Sequence, residues 1–271
     1  MIYEKRFKLN RENYHSREAN KRYFSVSQVK SFLDCEARTM AELNGEWEQE
    51  KSDALLIGSY VDAAFESDKA FKQFCDEYDA DIHQARTPTK LRAEFVKAND
   101  AIAAAKADPF FMSFLAGKHQ VIKTGTLFGV PWKVKMDVWN GTTPRRENRR
   151  IVDVKYVRDM LPLYKQSEGR LNFADYWRYP MQGACYTAID GHDYPFYLAV
   201  ITKEEPSDRA IIQIPKPKMD AEIDFLAEKM PRIIAVKQGI IEPTRCENCA
   251  YCRATRKLSR VINLDELDLD I

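Results

Sequence analysis

At 271 residues, with 45% hydrophobic and 31% charged residues, the chain has the composition of an ordinary folded protein, which excludes a disordered or fibrous one. Its net charge of +1 gives no global mark of a nucleic-acid partner. No apolar run approaches the roughly 20 residues of a membrane-spanning helix, and the charged first residues (MIYEKRFKLNREN) hold no signal core, so a cytoplasmic location without membrane attachment is expected.

Residues 25–44 (SVSQVKSFLDCEARTMAELN) are predicted to form a capped helix, with Ser25 or Ser27 at its start and Val29, Phe32, Leu33 and Ala37 at helical spacing. A second helix is expected over 52–66, with Gly58 in its interior, and 68–116 also reads as helical, with a break at Asp108-Pro109. Residues 120–128 and 131–139 alternate and are rich in β-branched and aromatic residues, predicting a hairpin. A strand over 151–157, a helix over 174–190, strands over 194–202 and 209–214, and a long helix at about 219–238 follow. A cysteine cluster and an acidic tail (LDELDLDI) complete the chain. This order predicts an α/β fold, a mixed central sheet flanked by helices with a helical N-terminal region. One domain over 1–271 is expected, with a helical part at about 20–116, a sheet core at about 120–215, and a C-terminal helix with cysteines at about 218–260.

The chemical signal lies in two strands. Asp137 stands near the end of VKMDVW, and period-two alternation puts Asp153 and Lys155 of IVDVKYV on one face. Neighbouring buried carboxylates repel and need a cation, and hard oxygen ligands suit magnesium or manganese. Such an ion would polarise a phosphate and acidify an attacking water, with Lys155 stabilising developing charge. Taken alone, an Asp-x-Lys is common on amphipathic strands and usually faces solvent.

An Asp on one strand followed by Asp-x-Lys on the next resembles the PD-(D/E)XK nuclease superfamily, whose core is restriction-endonuclease-like. Gln182 and Tyr186 of MQGACY share a helix face and are similar to the Q-x3-Y motif of the RecB-like branch. Upstream, GSYVD resembles that branch's G-x3-H motif, with Asp62 where histidine is usual. The resemblance implies a site of Asp137, Asp153, Lys155, Gln182 and Tyr186, with metal held by Asp62, Asp137 and Asp153, or with Glu66 completing the set.

Cys246, Cys249 and Cys252 form a C-x2-C-x2-C run that signals a metal site, and Cys35 is the best candidate for a fourth ligand. Cys75 and Cys185 read as core residues. The one-plus-three layout is similar to nucleases of the AddB type, which implies a [4Fe–4S] cluster of structural role, pinning the two ends of the chain together. The C-terminal spacing is shorter than in those relatives, which leaves a four-thiolate zinc site or free thiols open.

His15, His83, His119 and His192 show no ligand pairing, and no phosphate-binding glycine loop is present. Arginine-rich stretches at 145–150 and 253–260 suit either DNA or a solvated surface. Aromatics such as Trp132, Tyr164, Trp177 and Tyr179 suit base stacking or core packing. The chain most resembles phage and prophage RecE-type exonucleases. That implies end resection of linear duplex DNA for recombination, a single-strand annealing protein as partner, and a homo-oligomer. A single-strand or flap nuclease is the alternative enzyme, and an inactive DNA-binding scaffold is the alternative of another class.

Overall fold

In the computed structural model, residues 7–48, 52–165 and 168–258 are described, with 260, 261, 263 and 264. The charged residues 1–6 and the acidic tail beyond residue 264 lie outside the described residues. In chain order the elements are α1 (Arg17–Arg22), α2 (Val26–Asp34), α3 (Glu36–Asn44), α4 (Asp53–Glu66), α5 (Asp68–Glu77), α6 (Asp79–Ile82), β1 (His83–Gln84), β2 (Thr87–Leu91), α7 (Ala93–Lys106) and α8 (Pro109–Phe114). There follow β3 (Lys118–Leu127), β4 (Val130–Trp139), β5 (Ile151–Val157), β6 (Leu163–Lys165), β7 (Gly169–Leu171), α9 (Phe173–Tyr176), α10 (Tyr179–Asp190), β8 (Phe196–Thr202), β9 (Arg209–Ile214), α11 (Lys216–Lys237) and α12 (Ala250–Ala254).

Packing divides the chain into two compact units, one of residues 1–26 and 50–230, the other of 27–49 and 231–271. The first holds the expected mixed sheet, in the order β3-β4-β5-β8-β9. Only β5 and β8 are parallel; the other pairs are antiparallel. Both faces of the central strands are covered, which explains their nearly continuous apolar runs. Val152, Val154, Ala199 and Ile201 pack with Tyr60, Phe65, Phe95 and Phe111 of the helices on one side. On the other, Ile151, Leu198 and Val200 pack with Phe173 and Ala184.

Helix α10 lies close on β8, because a Cβ at Gly183 would stand 2.6 Å from the Phe196 ring and 3.0 Å from Met219 Sδ. Helix α4 starts at Ser52, whose hydroxyl accepts the Leu55 N–H at 3.3 Å. The second unit holds α3 and α12. There Glu36 accepts two bonds from Arg232 and one from the Thr244 N–H, each at 2.8 Å.

Three predicted helices are interrupted. The helix expected over 25–44 breaks at Cys35, whose extended backbone (φ −165°, ψ 107°) lets its sulfur cap α3. The stretch expected to be helical over 68–116 contains the β1–β2 hairpin, a short polar pairing without apolar alternation. The helix expected over 174–190 divides into α9 and α10 at Arg178, which takes the left-handed region (φ 51°) ahead of Pro180 in the first turn of α10. Leu163–Lys165 and Gly169–Leu171, given no element from the sequence, pair as the antiparallel strands β6 and β7.

Candidate active site

Strands β4 and β5 pair only at Val138–Val152 and Trp139–Ile151. Asp137 and Asp153 stand at the next position, where the ladder stops. Asp137 Oδ2 accepts the Val154 N–H at 2.9 Å, satisfying a backbone donor that a longer ladder would have used. Its Oδ1 accepts from Gln120 Nε2 at 3.2 Å. Gln120 stands directly opposite Asp137: the register of β3 and β4 runs from His119–Val138 to Val121–Met136 with one residue between them on each strand, and Gln120 has φ 52°. This cross-strand position brings its amide to Asp137.

Asp153 is 2% exposed. Its Oδ1 accepts from Gln182 Nε2 at 2.5 Å, while Oδ2 has no hydrogen bond and meets the Lys155 ammonium as an ion pair. Burial alone would lower the Lys155 pKa, but Asp153, Asp137 and Asp62 outweigh it and hold the ammonium above its ordinary range. Tyr186, four residues after Gln182, donates to the Lys135 carbonyl at 3.0 Å. Burial, and then the charge of Asp153, push its phenol well above the ordinary range.

Asp62 enters from α4. Burial, with Asp153 and Glu66 adding to it against Lys155 and Lys135, raises its carboxyl to about 7. Burial, then Asp153 and Asp62, push Asp137 well above the ordinary carboxylate range. Glu66 is instead paired with Arg11, whose guanidinium also donates to the His119 carbonyl at 3.0 Å. A Cβ at Gly58, in the same helix, would meet nothing within 4 Å, so no close neighbour requires glycine there. A cleft of about 310 Å³ is lined by Arg11, Asp62, Glu66, Gln120 and Lys135, among others.

Asp62, Asp137, Asp153, Lys155, Gln182 and Tyr186 thus meet within the first unit. Three mutually repelling carboxylates, one with an oxygen lacking a hydrogen bond, fit a divalent cation of the magnesium or manganese type. They are spread more widely than the cysteines described below, and Lys155 engages Asp153 directly.

Four neighbours escaped the sequence reading. Lys135 was accessible to it, since it lies two residues before Asp137 on the same strand. Gln120 depends on the β3–β4 register, which sets it opposite Asp137, and Arg11 and Tyr14 come from a distant segment with no local signature. The Tyr14 ring lies 4.6 Å from Lys133 Nζ and 5.7 Å from Lys135 Nζ. Burial, then Lys135 and Lys133, lower His15 to about 4, so this histidine is neutral at physiological pH. Among the aromatics, Trp132 is fully buried, whereas Tyr164 and Trp177 are exposed.

In the second unit Cys35, Cys246, Cys249 and Cys252 converge, with all four sulfurs within 4.8 Å of one another and no disulfide among them. Burial would raise the Cys246 thiol, but N–H donors from Asn248 and Cys249 and the neighbouring thiols bring it down to about 6. Cys75 and Cys185 are not part of this group; Cys185 is fully buried and Cys75 packs against the helical side of the core.

A family described as a PDDEXK-like domain of unknown function (DUF3799) matches residues 25–255. The chain belongs to this family. The PDDEXK-like chain is also 38% identical to a crystallised protein from Eubacterium rectale named "Putative exonuclease", with a TM-score of 0.90 over 98% of this chain and 100% of that one. No curated protein matches it. The PDDEXK-like fold is therefore the PD-(D/E)XK nuclease fold expected from the sequence.

Proposed function

We propose that this PDDEXK-like chain is a magnesium- or manganese-dependent DNA exonuclease that hydrolyses phosphodiester bonds and resects linear duplex ends for recombination. The observation that carries the reading is the meeting of Asp62, Asp137 and Asp153 with Lys155 where β4 and β5 part. The name of the Eubacterium rectale protein supports action from an end, and an annealing protein that receives the resected strand belongs to the same reading.

Magnesium or manganese held by the three carboxylates would supply Lewis acidity and a water acidified toward neutral pH. The residues of the chain prepare the rest. Gln182 fixes Asp153, and Gln120 with the Val154 N–H fixes Asp137, so neither carboxylate has to reorganise during reaction. Lys155 stays protonated and can donate to a phosphate oxygen as negative charge accumulates there. Lys135 and Arg11 place positive charge along the cleft, where a phosphate backbone would be received. Tyr186 stays un-ionised and serves by holding the Lys135 carbonyl.

The test is cleavage of end-labelled linear duplex, closed circular duplex and single strands, in magnesium, in manganese or with metal withheld, by the wild type and by Asp153→Ala and Lys155→Ala. Loss of linear duplex alone, dependent on magnesium and absent in both variants, is expected. Cleavage of single strands only would replace the substrate with a single-strand or flap structure. DNA binding without cleavage under either metal would overturn the enzymatic reading.

A further inference from the structure

The four cysteines have a size as well as a pattern. Cys35 Sγ and Cys252 Sγ are 3.6 Å apart, Cys246 Sγ and Cys252 Sγ are 4.0 Å apart, and no pair of the four exceeds 4.8 Å. Zinc binds thiolates at about 2.3 Å, which places the sulfurs of a tetrahedral site roughly 3.8 Å from each other. A [4Fe–4S] core sets each thiolate on a different iron at its outer corners, with sulfurs roughly 6 Å apart. The observed separations straddle the first value, and all fall short of the second.

The surroundings agree with a single ion. Backbone N–H groups point at three of the sulfurs: Arg38 at Cys35 (3.4 Å), Cys249 at Cys246 (3.3 Å) and Cys252 at Cys249 (3.4 Å). Such donors orient thiolates and spread the net negative charge left when four of them surround one dication. Glu247 takes the left-handed region (φ 60°) between Cys246 and Cys249, which turns the backbone so that both sulfurs face inward. Arg245 ties down the far side, donating to the Cys252 carbonyl at 2.7 Å and to Thr255 Oγ1 at 3.0 Å. With four protein ligands and with Cys35 and Cys252 buried, no position is left open for a substrate or water.

We propose that Cys35, Cys246, Cys249 and Cys252 bind one zinc ion in a closed structural site, and that the chain carries no iron–sulfur cluster. The ion joins residues 27–49 to residues 231–271, the two stretches that make up the second unit. Part of its binding energy is therefore folding energy of that unit. This assignment is independent of the proposed nuclease reaction.

The experiment is elemental analysis of the full chain purified without air or chelator, with acid-labile sulfide and visible absorption measured on the same sample. One zinc per chain, no sulfide and no visible colour is expected. Zinc should be lost from Cys249→Ser and Cys35→Ser and kept by Cys75→Ser. In case the serine variants fail to fold, the wild type is stripped and titrated with cobalt, which should give the visible bands of tetrahedral four-thiolate cobalt that zinc then abolishes. Iron and sulfide in equal amounts with broad brown absorption would overturn the proposal. So would a lone iron without sulfide, or a chain that takes up neither zinc nor cobalt.

Discussion

Asp137 Oδ2 accepts the Val154 N–H at 2.9 Å at the point where β4 and β5 separate. The same carboxylate therefore satisfies a stranded backbone donor and adds its charge to that of Asp62 and Asp153. These two roles can be pulled apart. Asp137→Asn keeps an oxygen for Val154 and loses the charge, so it should fold normally and cleave DNA at least ~100-fold more slowly. Asp137→Ala also leaves the donor unpaired, at a cost of about 1–3 kcal/mol, and should show a lower Tm as well. Cleavage assays with thermal unfolding of both variants check this. Wild-type cleavage by the asparagine variant would remove Asp137 from the metal site.

The raised carboxyls of Asp62 and Asp137 make stability depend on pH. An unfolded aspartate releases its proton near 3.8, whereas folded Asp62 holds it to about 7. Between those values the folded state binds more protons than the unfolded one, so stability falls as pH rises. In magnesium-free buffer, the Tm of the wild type should drop more between about pH 5 and about pH 8 than that of Asp62→Asn. Magnesium should raise the wild-type Tm more at the higher pH, where the carboxylates are charged. Parallel pH profiles for the two proteins would remove Asp62 from the site.

Gln182 steadies Asp153 through a 2.5 Å bond. Gln182→Ala should lower kcat by roughly 10–100-fold with little change in DNA affinity, as expected when an outer partner of a metal ligand is lost. Gln182→Glu sets a carboxylate against Asp153 and should be more damaging. Single-turnover cleavage beside equilibrium binding separates the two effects, and a variant that loses affinity alone would show that Gln182 contacts DNA instead.

Lys135 lines the cleft beside Asp62. Lys135→Ala should weaken duplex binding irrespective of sequence and reduce the slope of log affinity against log salt by about 0.9. An unchanged slope would mean that Lys135 meets no phosphate.

Glu66 and Asp62 compete for the same role on α4, but only Glu66 has an arginine partner, Arg11. Glu66→Gln should retain most activity, and Asp62→Ala should abolish it. The reverse ranking in a cleavage assay would exchange their assignments.

The sequence displayed those parts of the site that repeat with the period of their own element. Asp153 and Lys155 share a strand face, and Gln182 and Tyr186 share a helix face, so spacing alone grouped them. Gln120 was hidden because cross-strand register is a property of two paired strands, and neither strand shows it alone. Cys35 was read inside a helix because apolar spacing continues through it; what breaks the helix is the thiol capping α3, which depends on the local backbone turn. Arg11 and Tyr14 reach the site only through tertiary packing, across more than a hundred residues of chain from Asp137.

Gly183 neighbours Gln182 on α10, and a Cβ there would press into the Phe196 ring at 2.6 Å. A methyl group at this position would act as a shim beneath the helix, lifting the Gln182 amide from the carboxylate it steadies. Gly183→Ala is thus expected to slow cleavage without altering any group that meets DNA. The tolerance of the active site is set from below, by a residue whose contribution is the thickness it does not have.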